Sequence, residues 1–199
     1  MRHPSLRALV FALLAATAAR CTQNVDPRVA PAKVATVQPP VDARVLLLVA
    51  PAFETYTTES QFNFQHYVVH LGSSASKALQ DMLSGSFQHV EVLHVADAEV
   101  VRWLSAPADT ARADVLIVPT FGSSSAGVRL ADFAADVILR LDIRSYRTGA
   151  TYSWSGTGHA TRLINVGWGG MTGGALAQAL SALTDTLSAN RAKLEGPSR

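Results

Sequence analysis

The chain has 199 residues, 48% hydrophobic and 16% charged, with a formal net charge of +2. Three arginines fall in the first 20 residues, so the remaining 179 carry a net charge of −1 and hold no cluster of Lys or Arg. Such a composition suits one well-packed core and argues against extensive disorder and against nucleic-acid binding through a basic face.

The chain opens as a signal peptide. Arg2 and Arg7 form a short basic region, and Ala8 to Ala19 is a run of 12 small or apolar residues. As a helix that run spans only about 18 Å, too short for a hydrocarbon core of ~30 Å, so it reads as an export signal and not as an anchor. The sole cysteine, Cys21, follows directly. Its position predicts lipid attachment at a mature N-terminus, and the absence of a second cysteine excludes an intrachain disulfide. Thr17-Ala18-Ala19-Arg20-Cys21 is similar to the bacterial lipobox, from which Arg20 departs. The alternative is ordinary cleavage after Ala16-Thr17-Ala18, which would release a soluble periplasmic protein. Thr22, where an aspartate would favour the inner membrane, points to the outer membrane.

Residues 22–43 contain four of the nine prolines and show no apolar periodicity. With Cys21 they are expected to form a spacer, able to reach up to ~70 Å when extended. A single domain is then expected over 44–194, with a frayed tail at 195–199. Arg44 to Ala50 is a continuous apolar run closed by Pro51, the pattern of a strand buried on both faces. Residues 51–70 are rich in rings and predict an ordered excursion. Leu71, Ala75, Ala78, Leu79, Met82 and Leu83 share a helical stripe, with Ser73 or Ser74 as cap and Gly85 as terminator. His89–Val95 reads as a strand, Asp97 as the cap of a short helix ending before Pro107, and Asp114–Pro119 as a further apolar strand. A hairpin with a Ser-Gly tip at 122–127 is expected next. Residues 137–162 predict a second hairpin turning at Thr148-Gly149, with Val137, Leu139, Leu141 and Ile143 inward. Leu176, Leu180, Leu183 and Leu187 mark a last amphipathic helix capped by Thr172. The order β-α-β-α-β-(β)-β-β-α predicts an α/β (α+β) fold: a single mixed sheet with helices packed on it.

The succession of the apolar first strand at 44–50, "SKALQDMLSGSF", "VEVLHV", "ADVLIVPTFGS" at 113–123 and the charged hairpin at 137–158 resembles the small α/β domains of bacterial envelope lipoproteins. Examples are the curli-secretion lipoprotein, the TolB N-terminal domain, the penicillin-binding-protein activators and the lipopolysaccharide-assembly lipoprotein. The resemblance covers about 44–190 and implies a role in docking other envelope proteins, with no functional residue to carry over.

Chemistry-bearing residues are sparse. His66 and His70 have the spacing of a two-histidine metal site but enclose no glutamate, and a third ligand would have to come from Glu59, His89, His94 or His159. With the aromatic segment 53–67 they define an alternative reading as a small-ligand or metal-binding periplasmic protein. The serines at 123–125 lack the G-x-S-x-G of a nucleophile elbow. Gly167–Gly174 matches no nucleotide-binding fingerprint; it predicts a flexible loop before the last helix, on which Trp168 and Met171 could meet a partner. Asp132 and Asp136, like Asp97 and Glu99, read as solvated charges or caps. No catalytic residue and no cofactor are expected; the partners expected are other envelope proteins and the membrane through Cys21, with self-association of the chain left open.

Overall fold

The computed structural model describes residues 22–30, 34–62, 65–107, 112–129, 132–163 and 168–195. Residues 1–21, with the expected signal segment and Cys21, lie outside them, as do 31–33, Gly167 and the last four residues. Nine strands and five helices are present among the described residues, and the fold is mixed α/β. The strands are β1 (Thr22–Val25), β2 (Val41–Val49), β3 (Thr57–Phe62), β4 (Gln65–His70), β5 (Phe87–His94), β6 (Val115–Phe121), β7 (Ser125–Arg129), β8 (Asp132–Ser145) and β9 (Thr151–Leu163). The helices are α1 (Pro51–Glu54), α2 (Leu71–Ser86), α3 (Asp97–Ser105), α4 (Trp168–Ala189) and α5 (Arg191–Glu195).

The apolar run at 44–50 forms the spine. Strand β2 lies between β5 and β6, parallel to both, and β6 turns the sheet antiparallel by pairing with β8. Side chains alternate across a strand, so a run buried on both faces needs a layer on each side. Val45, Leu47, Val49, Val115 and Ile117 join Leu139, Leu141 and Ile143 in the main core with α2 and α4. Leu46, Leu48, Leu116 and Val118 form a second cluster, on which Val100, Trp103 and Leu104 of α3 pack.

Strand β8 is long enough to serve three neighbours. Its last seven residues pair with β6 and its first five with β7, while β9 runs along the opposite edge from Asp132↔Leu163 to Arg144↔Thr151. Helix α4 lies close over β9: a Cβ on Gly158 would stand 1.8 Å from the carbonyl oxygen of Ala175. Only glycine permits that approach.

Several expectations are corrected. There are two sheets: β1, β4 and β3 form a second one, with β1 parallel and β3 antiparallel to β4. The ring-rich excursion at 51–70 is therefore α1 followed by a hairpin. Residues 122–127 are not a hairpin tip, because Ser125–Arg129 is strand β7 and it pairs antiparallel with β8, not with β6. No serine or aspartate side chain caps the starts of α2 or α3. Ser74 donates to the Pro27 carbonyl at 2.8 Å, and Asp97 accepts the Ala52 N–H of α1 at 3.1 Å. Thr172 lies a full turn inside α4 and donates to the Trp168 carbonyl.

The largest correction concerns the spacer. Thr22–Val25 is strand β1, and the described residues after it lie against the domain. Arg28 N–H donates to the Gly169 carbonyl at 3.2 Å, Thr184 donates to Ala35 at 3.1 Å, and Val37 N–H donates to Ser86 Oγ at 3.0 Å. Val37 and Val41 are core residues. The folded unit thus includes the described residues from Thr22 onward, well before residue 44.

Candidate functional site

The glycine-rich stretch and the N-terminal segment explain each other. From Trp168 onward the glycines are helical, although each costs about 1 kcal/mol relative to alanine in a helix interior. The compensation is close contact: a Cβ on Gly173 would meet the Arg28 carbonyl oxygen at 2.2 Å, and one on Gly169 the Asp26 carbonyl at 3.0 Å. The small helix surface is the seat of the chain at 26–28.

Trp168 and Met171 are accordingly not displayed on a loop. Met171 is fully buried, and Trp168 packs with Tyr67 at 4.9 Å and Phe133 at 4.4 Å between ring centroids. The stretch expected as a flexible loop is instead the first turns of α4, and Gly169 and Gly173 beside these two side chains serve the packing of the chain at 26–28.

His66 and His70 stand on one face of β4, one residue out of step with the buried Tyr67 and Val69 on the other. They are not drawn together. His66 Nε2 lies 3.2 Å from Glu59 on β3, and His70 Nε2 lies 3.1 Å from Asn24 on β1. Among the described residues no group of three His, Cys, Asp or Glu side chains could hold a metal ion. His94 pairs instead with Glu54 and His159 with Asp136. Nor does the aromatic segment leave an open ring-lined site where its rings are described: Phe53 and Tyr56 stack on Phe121 at 5.0 and 4.3 Å, and Tyr67 is buried on Trp168.

Two polar clusters went unforeseen as clusters. At the outer end of β9, His159 Nδ1 lies 2.6 Å from Asp136 Oδ1, and its backbone N–H donates to Gln178 of α4 at 3.0 Å. His159, Thr161, Met171, Gln178 and Ser181 help line a cleft of about 540 Å³ between the edge of β9 and α4. The sequence signal was weak because Asp136 and His159 are 23 residues apart and meet only through the β8–β9 register. The second cluster is structural. Asp114 accepts from the Arg44 backbone at 2.8 Å and side chain at 3.3 Å, and Arg147 stands 3.2 Å away. Burial raises the carboxyl's pKa, but these hydrogen bonds and the positive charge outweigh it, and the net shift is downward.

Cys21 lies outside the described residues, but its peptide neighbour Thr22 does not. Thr22 opens β1 and sits opposite His66. No helix among the described residues is long and apolar enough to cross a membrane.

No family model and no curated protein matches this chain. Among solved structures it is similar to protein XCC0632 of Xanthomonas campestris, a DUF330 protein. That match has 15% identity over 85% of this chain and 95% of the other, with a TM-score of 0.45. A PelC dodecamer from Paraburkholderia phytofirmans matches at 14% identity over 79% and 92%, TM-score 0.41. The lipoprotein GNA1162 of Neisseria meningitidis matches at 14% identity over 73% and 99%, TM-score 0.36. These three structures come from bacteria, and one of them is a lipoprotein.

Proposed function

We propose that the chain is an exported, non-enzymatic lipoprotein of the bacterial envelope. It is anchored through Cys21, in the outer membrane, and acts as an accessory or adaptor in assembly, transport or secretion by contacting other envelope proteins. The observation that carries this reading is the placement of the sole cysteine, directly after a 12-residue apolar run and directly before the first strand of the folded domain. A lipid there joins a rigid body to a membrane.

The test is metabolic labelling with an alkyne-bearing palmitate, combined with cross-linking in native envelopes. The wild-type chain is expected to take up label, to fractionate with the outer membrane and to cross-link to a defined set of envelope proteins. Cys21→Ser should lose label and membrane association while keeping the fold. An unlabelled wild-type chain in the soluble fraction would refute the anchor. Turnover of a substrate from a broad hydrolase panel, abolished by one polar substitution, would refute the non-enzymatic role.

The sheet also permits self-association. Among the described strands, β5 pairs on one edge only, so backbone donors and acceptors face outward along its other edge. Sedimentation of the mature domain tests this: a monomer at every concentration would remove it.

A further inference from the structure

We propose that the domain stands directly on the bilayer, without a spacer, and that the pole where β1 begins faces the lipid surface. The proposal rests on lipidation of Cys21 and specifies how that anchor holds the domain.

The first argument is covalent. Consecutive Cα atoms are about 3.8 Å apart, so whatever conformation Cys21 takes, its Cα lies within that distance of Thr22. Thr22 is already in register with His66, and the pairing continues through Gln23↔Tyr67 and Asn24↔Val68 to Val25↔Val69. A diacylglyceryl group on Cys21 therefore enters the membrane at the start of β1, next to the β3–β4 hairpin end.

The second argument is that the chain cannot easily be paid out. Beyond β1 it is held in succession by Ser74 at Pro27, by Gly169 at Arg28, by Thr184 at Ala35 and by Ser86 at Val37. Gly173 has no side chain where Arg28 crosses it. A spacer of 22 residues would require all of these contacts to open together.

The third argument fixes orientation. Strand β3 ends at Phe62, whose ring meets Phe133 edge-on at 5.2 Å. Phe133 pairs with Val128 near the start of β8, and β9 finishes opposite Asp132. The beginning of β1, the end of β3, the end of β7, the start of β8 and the end of β9 thus share one pole. From that pole β8 runs for 14 residues, so its far end lies roughly 45 Å away at ~3.3 Å per residue. The turn at Thr148-Gly149, just beyond Ser145, points away from the membrane.

The lipidated protein supplies its own control, because Cys21 is the only native cysteine and its thiol is consumed by the lipid. A single new cysteine at Gln61, at Gln23 or at Thr148, all exposed, can then carry an environment-sensitive fluorophore. The mature protein is placed in phosphatidylethanolamine–phosphatidylglycerol vesicles containing a headgroup-nitroxide lipid, after intact mass has shown the diacylglyceryl group. Probes at Gln61 and Gln23 are expected to be quenched several-fold and the probe at Thr148 not at all. Adding Asn24→Pro or Gln23→Pro, one of which removes a ladder donor from β1, should reduce quenching at Gln61. Equal, weak quenching at Gln61 and Thr148 in lipidated protein would overturn the direct placement while leaving the anchor intact. Absence of the lipid mass would overturn the anchor and this placement together.

Discussion

Strands β1 and β2 are both parallel members of their sheets, yet different forces hold them. Strand β2 buries seven of its nine residues, with Leu47 and Leu48 fully enclosed. Strand β1 exposes Thr22, Gln23 and Asn24 and half-buries Val25. The first is held by removal of apolar surface from water, worth about 1.5–3 kcal/mol for each large side chain. The second is held by backbone pairing and by the chain that follows it. A strand fixed by burial resists local opening and writes a pattern into the sequence, whereas a strand fixed by its backbone does neither.

The sharpest way to break the first is Leu47→Ala, which should cost about 3 kcal/mol in urea denaturation and lower the stability of both sheets together. Loss confined to one sheet would contradict a common core. Gly173→Val attacks the second strand through its continuation, since the added side chain meets the Arg28 carbonyl. It should cost ~2 kcal/mol, as overpacking does. Hydrogen exchange should quicken at 22–30 well beyond any change in β2; uniform acceleration would show that β1 is not a separable unit.

Asp114 joins the turn after β8 to the start of β2 through Arg147 and Arg44. Asp114→Asn should cost about 1 kcal/mol at neutral pH. The native carboxyl titrates below its ordinary value of 3.8. Its stabilisation is therefore complete above that value and is lost as pH falls through the lower folded value. The acid limb of the stability curve should flatten in the variant, and an unchanged limb would place the effect elsewhere. The smallest change expected is His66→Ala, within ~0.5 kcal/mol because its partner Glu59 is largely exposed. Stoichiometric zinc in the wild type, lost in this variant, would restore the metal-binding reading.

What was legible in the sequence follows the same division. The run at 44–50, the stripe from Leu71 to Leu83, the alternation at 137–144 and the leucines of α4 each carry a period imposed by burial, and each lies where that period places it. The polar tetrapeptide Thr22–Val25 has no such period, and the prolines after it resemble a linker although Pro27 is buried. The stretch from Trp168 to Gly174 looks flexible in isolation; its glycines make sense only once Asp26 and Arg28 are seen crossing the helix. Two segments that appear loose in sequence are ordered by one another, a relation that single-segment patterns do not contain. Gly122–Gly127 misleads in a related way, since Gly127 sits in β7 with Ser60 of β3 3.6 Å from where a side chain would begin. The Asp136–His159 pair depended on cross-strand register, which the turn at Thr148-Gly149 implied but did not make conspicuous.

The central claim is that Cys21 carries the lipid that fixes this domain to the envelope. Mass spectrometry of the mature N-terminus tests it most directly. The account predicts a chain beginning at Cys21 with a diacylglyceryl group on its sulfur. A chain beginning at Ala19 with a free thiol two residues later would contradict it.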